Sequence, residues 1–271
     1  MNRAACVALT LAVAASAGCA RARLQLPDGP STPIGNAAPM LDEAFGHCAG
    51  LSTLTLEMGL SGRAGGRRLR ARLLAGLEAP SSIRLEAVVP FGAPGFILAA
   101  TGSASVLLLP RDDRVLRDAA PEEILEALAG VRVRPGDLLA FLGGCPGAAP
   151  VPARARRFGD EWLAADLEDG ATAYLRHDGR WRPAAVVRRD VRVVFDEWTA
   201  TGPGRVTLQS PDAEGPAAFD LSLRISQVER NAALPAAAFT VNVPEEAEAI
   251  TLEELRRAGP MRDSAADDAT S

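Results

Sequence analysis

The sequence has few of the residues that carry chemistry in enzymes and metal sites. Its 271 residues include two histidines, four cysteines and 4% aromatic residues. It has no C-x-x-C motif, so we expect no zinc site, and no G-x-S-x-G motif, so it lacks the nucleophile turn of the α/β-hydrolases. His47 and His177 lie in no recognisable catalytic motif. We therefore expect a protein without a metal, a cofactor or an enzymatic activity.

Concentrated positive charge is also missing from the sequence. The formal net charge is -5, and the arginines are dispersed along the chain. A mildly acidic chain without a basic stripe lacks the electrostatic footprint of nucleic-acid-binding proteins. We therefore expect a monomer with no nucleic-acid partner.

Long apolar runs are confined to the start of the chain. Beyond residue 18, no run approaches the roughly 18 apolar residues that a membrane-spanning helix needs. Before it, Arg3 precedes an uncharged apolar stretch at residues 4–15, which has the length of a signal-peptide core. We therefore expect an exported protein whose only attachment to a membrane is at its N-terminus.

Ala17 and Gly18 stand directly before Cys19, and this ending resembles the lipobox of bacterial lipoproteins. The resemblance implies that residues 1–18 are removed and that Cys19 becomes an acylated N-terminus, with chains such as palmitate. The alternative is an ordinary secretory signal followed by an incidental cysteine. Residues 19–38 are rich in proline, glycine and polar residues without periodicity, so they are predicted to form a flexible tether.

The two remaining cysteines form an even pair. Cys6 would leave with the signal and Cys19 would carry lipid, so that Cys48 and Cys145 would stay in an oxidising compartment. A disulfide between them would close a long loop and stabilise the fold. Two unrelated buried thiols are the alternative, since geometry decides whether two cysteines can pair.

The remaining sequence, residues 39–255, predicts a mainly β fold of the α+β type. An N-terminal helix is predicted within residues 40–51, and a period of two at residues 54–60 and 69–77 predicts a hairpin. Further strands are predicted at 83–89, 96–101, 106–109, 114–117, 156–167, 172–177, 182–188, 191–198, 206–208, 218–228 and 239–243. Two short helices are predicted at 121–129 and 136–142, a turn at 202–204, and a disordered tail at 256–271. So many short strands joined by turns favour a curled antiparallel sheet.

A family resemblance rests on the spacing Glu123-Ile124-Leu125-x-x-Leu128-x-Gly130-x-x-Val133-x-Pro135-x-x-Leu138-x-x-x-Leu142-x-Gly144-x-Pro146 and on Pro90-Phe91-Gly92 upstream. These residues resemble the two-helix insert and the strand-connecting loop of the LolB family of outer-membrane lipoproteins. The resemblance implies a LolA/LolB-like incomplete barrel, wrapped over the insert around an apolar cavity for the acyl chains of lipoproteins. The candidate lining residues are Leu54, Leu56, Met58, Leu73, Leu85, Val89, Phe96, Leu98, Leu125 and Leu128.

The resemblance also implies partners and a location. A periplasmic carrier of the LolA type would deliver a lipoprotein, and this chain, lipid-anchored in the outer membrane and facing the periplasm, would help to insert it. Phe91 would be the exposed apolar residue that dips into the bilayer, unless it folds back onto the sheet. Residues 231–247 are more similar to the ending of LolA-like lipoproteins. A general lipid-binding lipoprotein and an envelope scaffold with a filled core are therefore alternatives.

Overall fold

The computed structural model of the chain describes residues 24–211 and 218–258. The predicted signal peptide and Cys19 lie outside the described residues. Within the described ranges, no helix is both long and apolar enough to cross a membrane.

The described residues form one sheet of fifteen strands. The strands are β1 (Thr32–Pro33), β2 (Thr53–Ala64), β3 (Arg67–Glu78), β4 (Ser82–Val88), β5 (Ile97–Thr101), β6 (Ala104–Leu109), β7 (Arg114–Arg117), β8 (Pro150–Phe158), β9 (Trp162–Leu167), β10 (Thr172–His177), β11 (Trp181–Val187), β12 (Arg192–Thr199), β13 (Gly202–Gln209), β14 (Phe219–Arg230) and β15 (Glu248–Ala249). Their order is β1-β8-β9-β10-β11-β12-β13-β14-β2-β3-β4-β5-β6-β7-β15. Among the strands of the described ranges, only the pair of β15 and β7 is parallel. The predicted mainly β, incomplete barrel is confirmed.

Four helices accompany the sheet in the described part of the chain. They are α1 (Ala38–Phe45), α2 (Pro121–Ala129), α3 (Pro135–Leu142) and α4 (Leu252–Ala258). Helix α2 has the predicted bounds, because Pro121 occupies the first turn without losing a hydrogen bond and Gly130 ends the helix in the left-handed conformation (φ 73°). A side chain at Gly130 would also meet Ala64, with its Cβ 2.8 Å from the Cβ of that residue.

The sheet order explains why the helical insert lies on the inner face. The long pairing of β14 with β2 joins the later strands to the earlier ones, so that β7 and β8, consecutive in sequence, lie near opposite edges of the sheet. The chain from β7 to β8 must therefore travel from one edge to the other, and α2 and α3 form this connection. Their apolar residues, including Ile124 and Leu142, are buried in one core with the inward side chains of the strands.

Four predictions of local structure are wrong. The predicted strand at 156–167 is two strands, because Gly159 (φ 59°) opens a turn between β8 and β9. The predicted turn at 202–204 is the start of β13. Residues 239–243 were predicted as an edge strand but form none: Phe239 is the buried last residue of a 3₁₀ turn (Ala236–Phe239), and the following residues are irregular. At the other terminus, part of the predicted tether at 19–38 is fixed, because β1 pairs with Arg156 and Arg157 of β8.

The last predicted boundary is also displaced. The tail was expected from residue 256, but α4 continues to Ala258 and buries Leu255. Residues 259–271 lie outside the described part of the chain.

A disulfide joins Cys48 and Cys145 in the structure. Their Cα atoms are 5.8 Å apart, and 97 residues separate them in sequence. The bond ties the segment before β2 to the segment after α3. It therefore fixes the end of the insert relative to the first long strand of the sheet.

We predict that the double variant Cys48→Ala/Cys145→Ala loses about 3 kcal/mol of unfolding free energy, because the disulfide restricts a long loop in the unfolded chain. Urea denaturation measures the loss. Reduction of the parent protein should reproduce it, whereas reduction should not change the variant. Equal stabilities of the oxidised parent and the variant would contradict the prediction.

Candidate functional site

An apolar cavity of about 70 Å³ lies between the inner face of the sheet and the helical insert. All of its lining residues are apolar. They are Met58, Leu60, Leu73, Leu85, Phe96, Leu125, Leu128, Ala129, Val131, Val133, Leu138, Leu208, Leu221 and Leu223. The strands supply alternate residues, whose side chains point inward, while α2 and the turn after it cover them. A cavity with such a lining remains dry and accepts apolar groups.

The structure distributes the ten predicted lining residues between three places. Six of them line the cavity: Met58, Leu73, Leu85, Phe96, Leu125 and Leu128. Leu54, Leu56 and Leu98 are buried in the same core but do not reach the cavity. Val89 is half-buried in the loop after β4. An inward position in the strand pattern therefore indicates burial, but it does not by itself place a residue at the cavity.

Sequence reasoning missed the lining residues that other elements contribute. Leu208, Leu221 and Leu223 belong to β13 and β14, and Val131 and Val133 to the turn between α2 and α3. The alternating pattern of β14 was visible in the sequence. Its position next to β2 was not, because pairing between strands so distant in sequence leaves no local signal.

The cavity is small because the insert occupies most of the inner face. One water occupies roughly 10–15 Å³ of cavity volume, so the cavity of about 70 Å³ is only about as large as five waters. A complete acyl chain does not fit beside the helices in this conformation. An acyl chain at this position would need part of the insert to move.

Helix α3 is held by charged groups. Arg188, after β11, lies 3.1 Å from the Asp137 carboxylate in the first turn of α3 and 3.0 Å from that of Asp169. The same guanidinium group lies 5.2 Å from the centre of the Phe141 ring. Arg134 adds a second cation 2.8 Å from Asp137. These directional contacts fix α3 to the sheet.

Helix α2 is held in a different way. Its buried residues make apolar contacts, and its acids pair with Arg132 of the following turn and with Arg256 of α4. Within residues 24–211 and 218–258, no ion pair joins an acid of α2 to a strand. Apolar contacts have no fixed direction, so other apolar groups can replace them. Helix α2 therefore lacks the ion pairs to the sheet that hold α3.

Phe91 is 89% exposed. It lies in the loop between β4 and β5, whose base is closed by backbone hydrogen bonds from Ala87 to Phe96 and from Gly95 to Ala87. The alternative in which Phe91 folds back onto the sheet does not hold in the structure. The loop exposes a large apolar side chain to solvent, while backbone hydrogen bonds fix the two ends of the loop.

The two histidines are each placed against a tryptophan. His47 makes an edge contact with the Trp198 ring, at 5.6 Å between ring centroids. Burial is the main cause that lowers the pKa of His47, and the positive charge of Arg230 adds to it. The His177 ring lies 5.0 Å from that of Trp181. His47 also lies beside Cys48 and Cys145, but those sulfur atoms are joined to each other and are not free to bind a metal.

The architecture is that of an open half-barrel whose inner face is covered by a two-helix insert. This fold is shared with a solved LolA superfamily protein. A LolA superfamily protein from Nitrosomonas europaea matches with a TM-score of 0.52 and 14% identity, over 77% of this chain and 99% of that chain. The predicted likeness is thus confirmed for the fold.

Two further solved structures match with lower TM-scores. A DUF1329 family protein from Desulfovibrio piger has a TM-score of 0.46 and 12% identity, over 76% of this chain and 98% of that chain. The lipoprotein LppX from Mycobacterium tuberculosis has a TM-score of 0.30 and 12% identity, over 76% and 97%. No protein-family model matches the sequence, and no curated protein matches it.

We predict that Arg188→Met lowers the unfolding free energy by about 2 kcal/mol, because Asp137 loses one of its two cations in a nearly buried position. The matched control is Arg189→Met at the exposed neighbouring residue, which should change stability by no more than about 0.5 kcal/mol. Urea denaturation of both variants measures the difference. Equal losses would show that the contacts of Arg188 do not fix α3.

Proposed function

We propose that this chain is a lipid-anchored acceptor that faces the periplasm, binds the acyl chains of lipoproteins on the inner face of its half-barrel, and helps insert them into the outer membrane. The observation that carries the proposal is the wholly apolar cavity between α2 and the sheet. A LolA-type carrier is the proposed donor of the lipoprotein. The protein acts as a monomer and catalyses no reaction.

The apolar contacts that hold α2 over the cavity support the proposal. An acyl chain contributes about 0.8 kcal/mol for each methylene group removed from water. Displacement of α2 would expose Leu125 and Leu128 together with the strand residues opposite them. A chain that entered the same space would cover this surface again. The exchange of one apolar partner for another keeps its net free energy small, which suits a protein that must also release its cargo.

Acylated Cys19 would hold the protein at the membrane, and the loop of Phe91 would reach into the bilayer. The exposure of the Phe91 ring supports this second role, because a large apolar side chain in water gains free energy when it enters the interface.

The end of the described chain favours a second candidate, a general lipid-binding LolA-like lipoprotein. Helix α4 packs on α2 and buries Leu255, and Arg256 lies 3.9 Å from Glu126. An additional helix against the movable part of the insert would restrict how far α2 opens. Such a site would suit a free lipid better than a bulky lipoprotein.

We predict that Leu73→Trp weakens the binding of an acylated lipopeptide by about tenfold or more, because the larger side chain fills the cavity that Leu73 lines. The matched control is Leu74→Trp, since the adjacent residue faces the outside of the same strand and is 41% exposed. Native mass spectrometry of protein extracted from membranes measures the bound ligand and the acylation of Cys19.

Three outcomes separate the candidates. A bound lipopeptide that is lost in Leu73→Trp and kept in Leu74→Trp would support the acceptor. A bound free lipid with the same dependence would favour the second candidate. An acylated protein that carries no ligand and takes up none would contradict both candidates, and an envelope scaffold with a filled core would be the remaining hypothesis.

We predict that Phe91→Ser lowers transfer of a bound lipopeptide to phospholipid vesicles by about tenfold, because a ring that gains about 1.5–3 kcal/mol in the interface is lost. Its unfolding free energy should be unchanged, since the ring is exposed. Leu74→Ser, at another large apolar residue that is exposed in the described part of the chain, is the control. Transfer at the parent rate by Phe91→Ser would remove Phe91 from the mechanism.

A further inference from the structure

The structure brings four arginines together at the tip of the β2–β3 hairpin. Arg63, Arg67, Arg68 and Arg70 are all exposed. The described ion pairs include none of the four, whereas Arg72, further along β3, pairs with Glu57. The expectation that the arginines are dispersed is therefore wrong for this hairpin. We call these four residues the hairpin arginines.

The hairpin arginines share one end of the sheet with Phe91. The last residue of β4, Val88, pairs with Arg72, so that β3 extends beyond β4 toward Arg67. The loop that carries Phe91 leaves β4 at this point. Because Arg68 and Arg70 alternate with buried Leu69, they lie on the outer face of the protruding strand, beside the start of this loop.

The start of the described chain lies at the same end of the sheet. The backbone oxygen of Leu24 accepts a hydrogen bond from Arg192, the first residue of β12. Arg192 begins a row of paired residues across the strands, through Gln209, Asp220 and Arg63 to Arg68. Four strand spacings separate Arg192 from Arg68, a distance of about 19 Å.

This position limits how the molecule can stand on a membrane. Cys19 precedes Leu24 by five residues, and five residues span at most about 18 Å in any conformation. If Cys19 is acylated, the end of the sheet near Arg192 is held close to the bilayer. The hairpin arginines and Phe91 are then held close to it as well.

We infer that the hairpin arginines bind the anionic headgroups of phospholipids and, with Phe91, form a membrane-docking surface. This inference rests on the proposed attachment to a membrane and adds the lipid class that the surface recognises. Arginine suits the role because its planar guanidinium group donates two parallel hydrogen bonds to a phosphate. An exposed aromatic ring next to cations is the arrangement of proteins that lie at a bilayer interface.

Among the described strand residues, the acidic group nearest to the tip by register is Asp220, opposite Arg63 on β14. It accepts a hydrogen bond from Gln209. Arg67, Arg68 and Arg70 lie on β3, and β2 separates that strand from β14. These three arginines are therefore the part of the surface that is farthest from Asp220, and they are the residues to change.

The test uses the unacylated chain that begins at Ala20, since every described helix and strand lies after residue 23 and is retained. Its partition is measured by flotation with vesicles of phosphatidylcholine and with vesicles of phosphatidylcholine and phosphatidylglycerol in equal parts. The variant is Arg67→Gln/Arg68→Gln/Arg70→Gln. The matched control, Arg117→Gln/Arg154→Gln/Arg180→Gln, removes three exposed arginines from other parts of the sheet.

We expect the parent and the control to bind the phosphatidylglycerol vesicles, and the hairpin variant to bind them about a hundredfold more weakly, since each cation at an anionic surface contributes about fivefold. Added salt should remove the difference, because it screens exposed charges. Binding to pure phosphatidylcholine should be equal in all three proteins.

Two results would overturn the inference. Equal binding of the hairpin variant and the control to phosphatidylglycerol vesicles would show that the surface does not read lipid charge. Unchanged vesicle binding together with impaired delivery from a carrier would assign the arginines to an acidic carrier protein instead. Lipopeptide binding in solution, measured on the same variants, tests the cavity separately, so that failure of the proposed function is distinguishable from failure of this surface.

Discussion

The pairing of β14 with β2 is the constraint on which the rest of the structure depends. It runs from Phe219 opposite Ala64 to Arg230 opposite Leu54 and places the later strands beside the earlier ones. As a result β7 and β8 lie near the two edges of one sheet, and the chain between them has to cross its inner face. A curled sheet with one apolar face must cover that face. Here the covering element is the connection itself, so the cover is part of the topology and is tethered at both ends.

The two helices of this cover differ in the interactions that hold them. Asp137 of α3 is joined to Arg188 and Arg134, and the disulfide of Cys145 follows shortly after the helix. Ion pairs between nearly buried groups are costly to break, because each charge then lacks its partner. Helix α2 faces the cavity through Leu125 and Leu128, and these contacts are apolar and have no fixed direction. The two helices of the cover thus differ in how directional their contacts are.

The sequence predicts the parts of this structure whose signals are local. The alternating residues of β2 and β3 define a hairpin, and Pro121 and Gly130 define α2. What it does not predict depends on partners distant in the chain. Two residues of β1 become a strand only because β8 offers a free edge. Leu221 and Leu223 likewise line the cavity only through the neighbour that β14 acquires.

The position of the cavity relative to the ends of the sheet gives the half-barrel a direction. Leu60 lies four residues before the end of β2, and Gly130, at the end of α2, meets Ala64 at that end. Phe96 lines the cavity and also closes the base of the loop that presents Phe91. An acyl chain beside Phe96 would therefore be only a short loop away from the exposed ring. Because the described chain also begins at this end of the sheet, an N-terminal lipid anchor would turn the cavity toward the membrane, and cargo could leave without the protein reorienting.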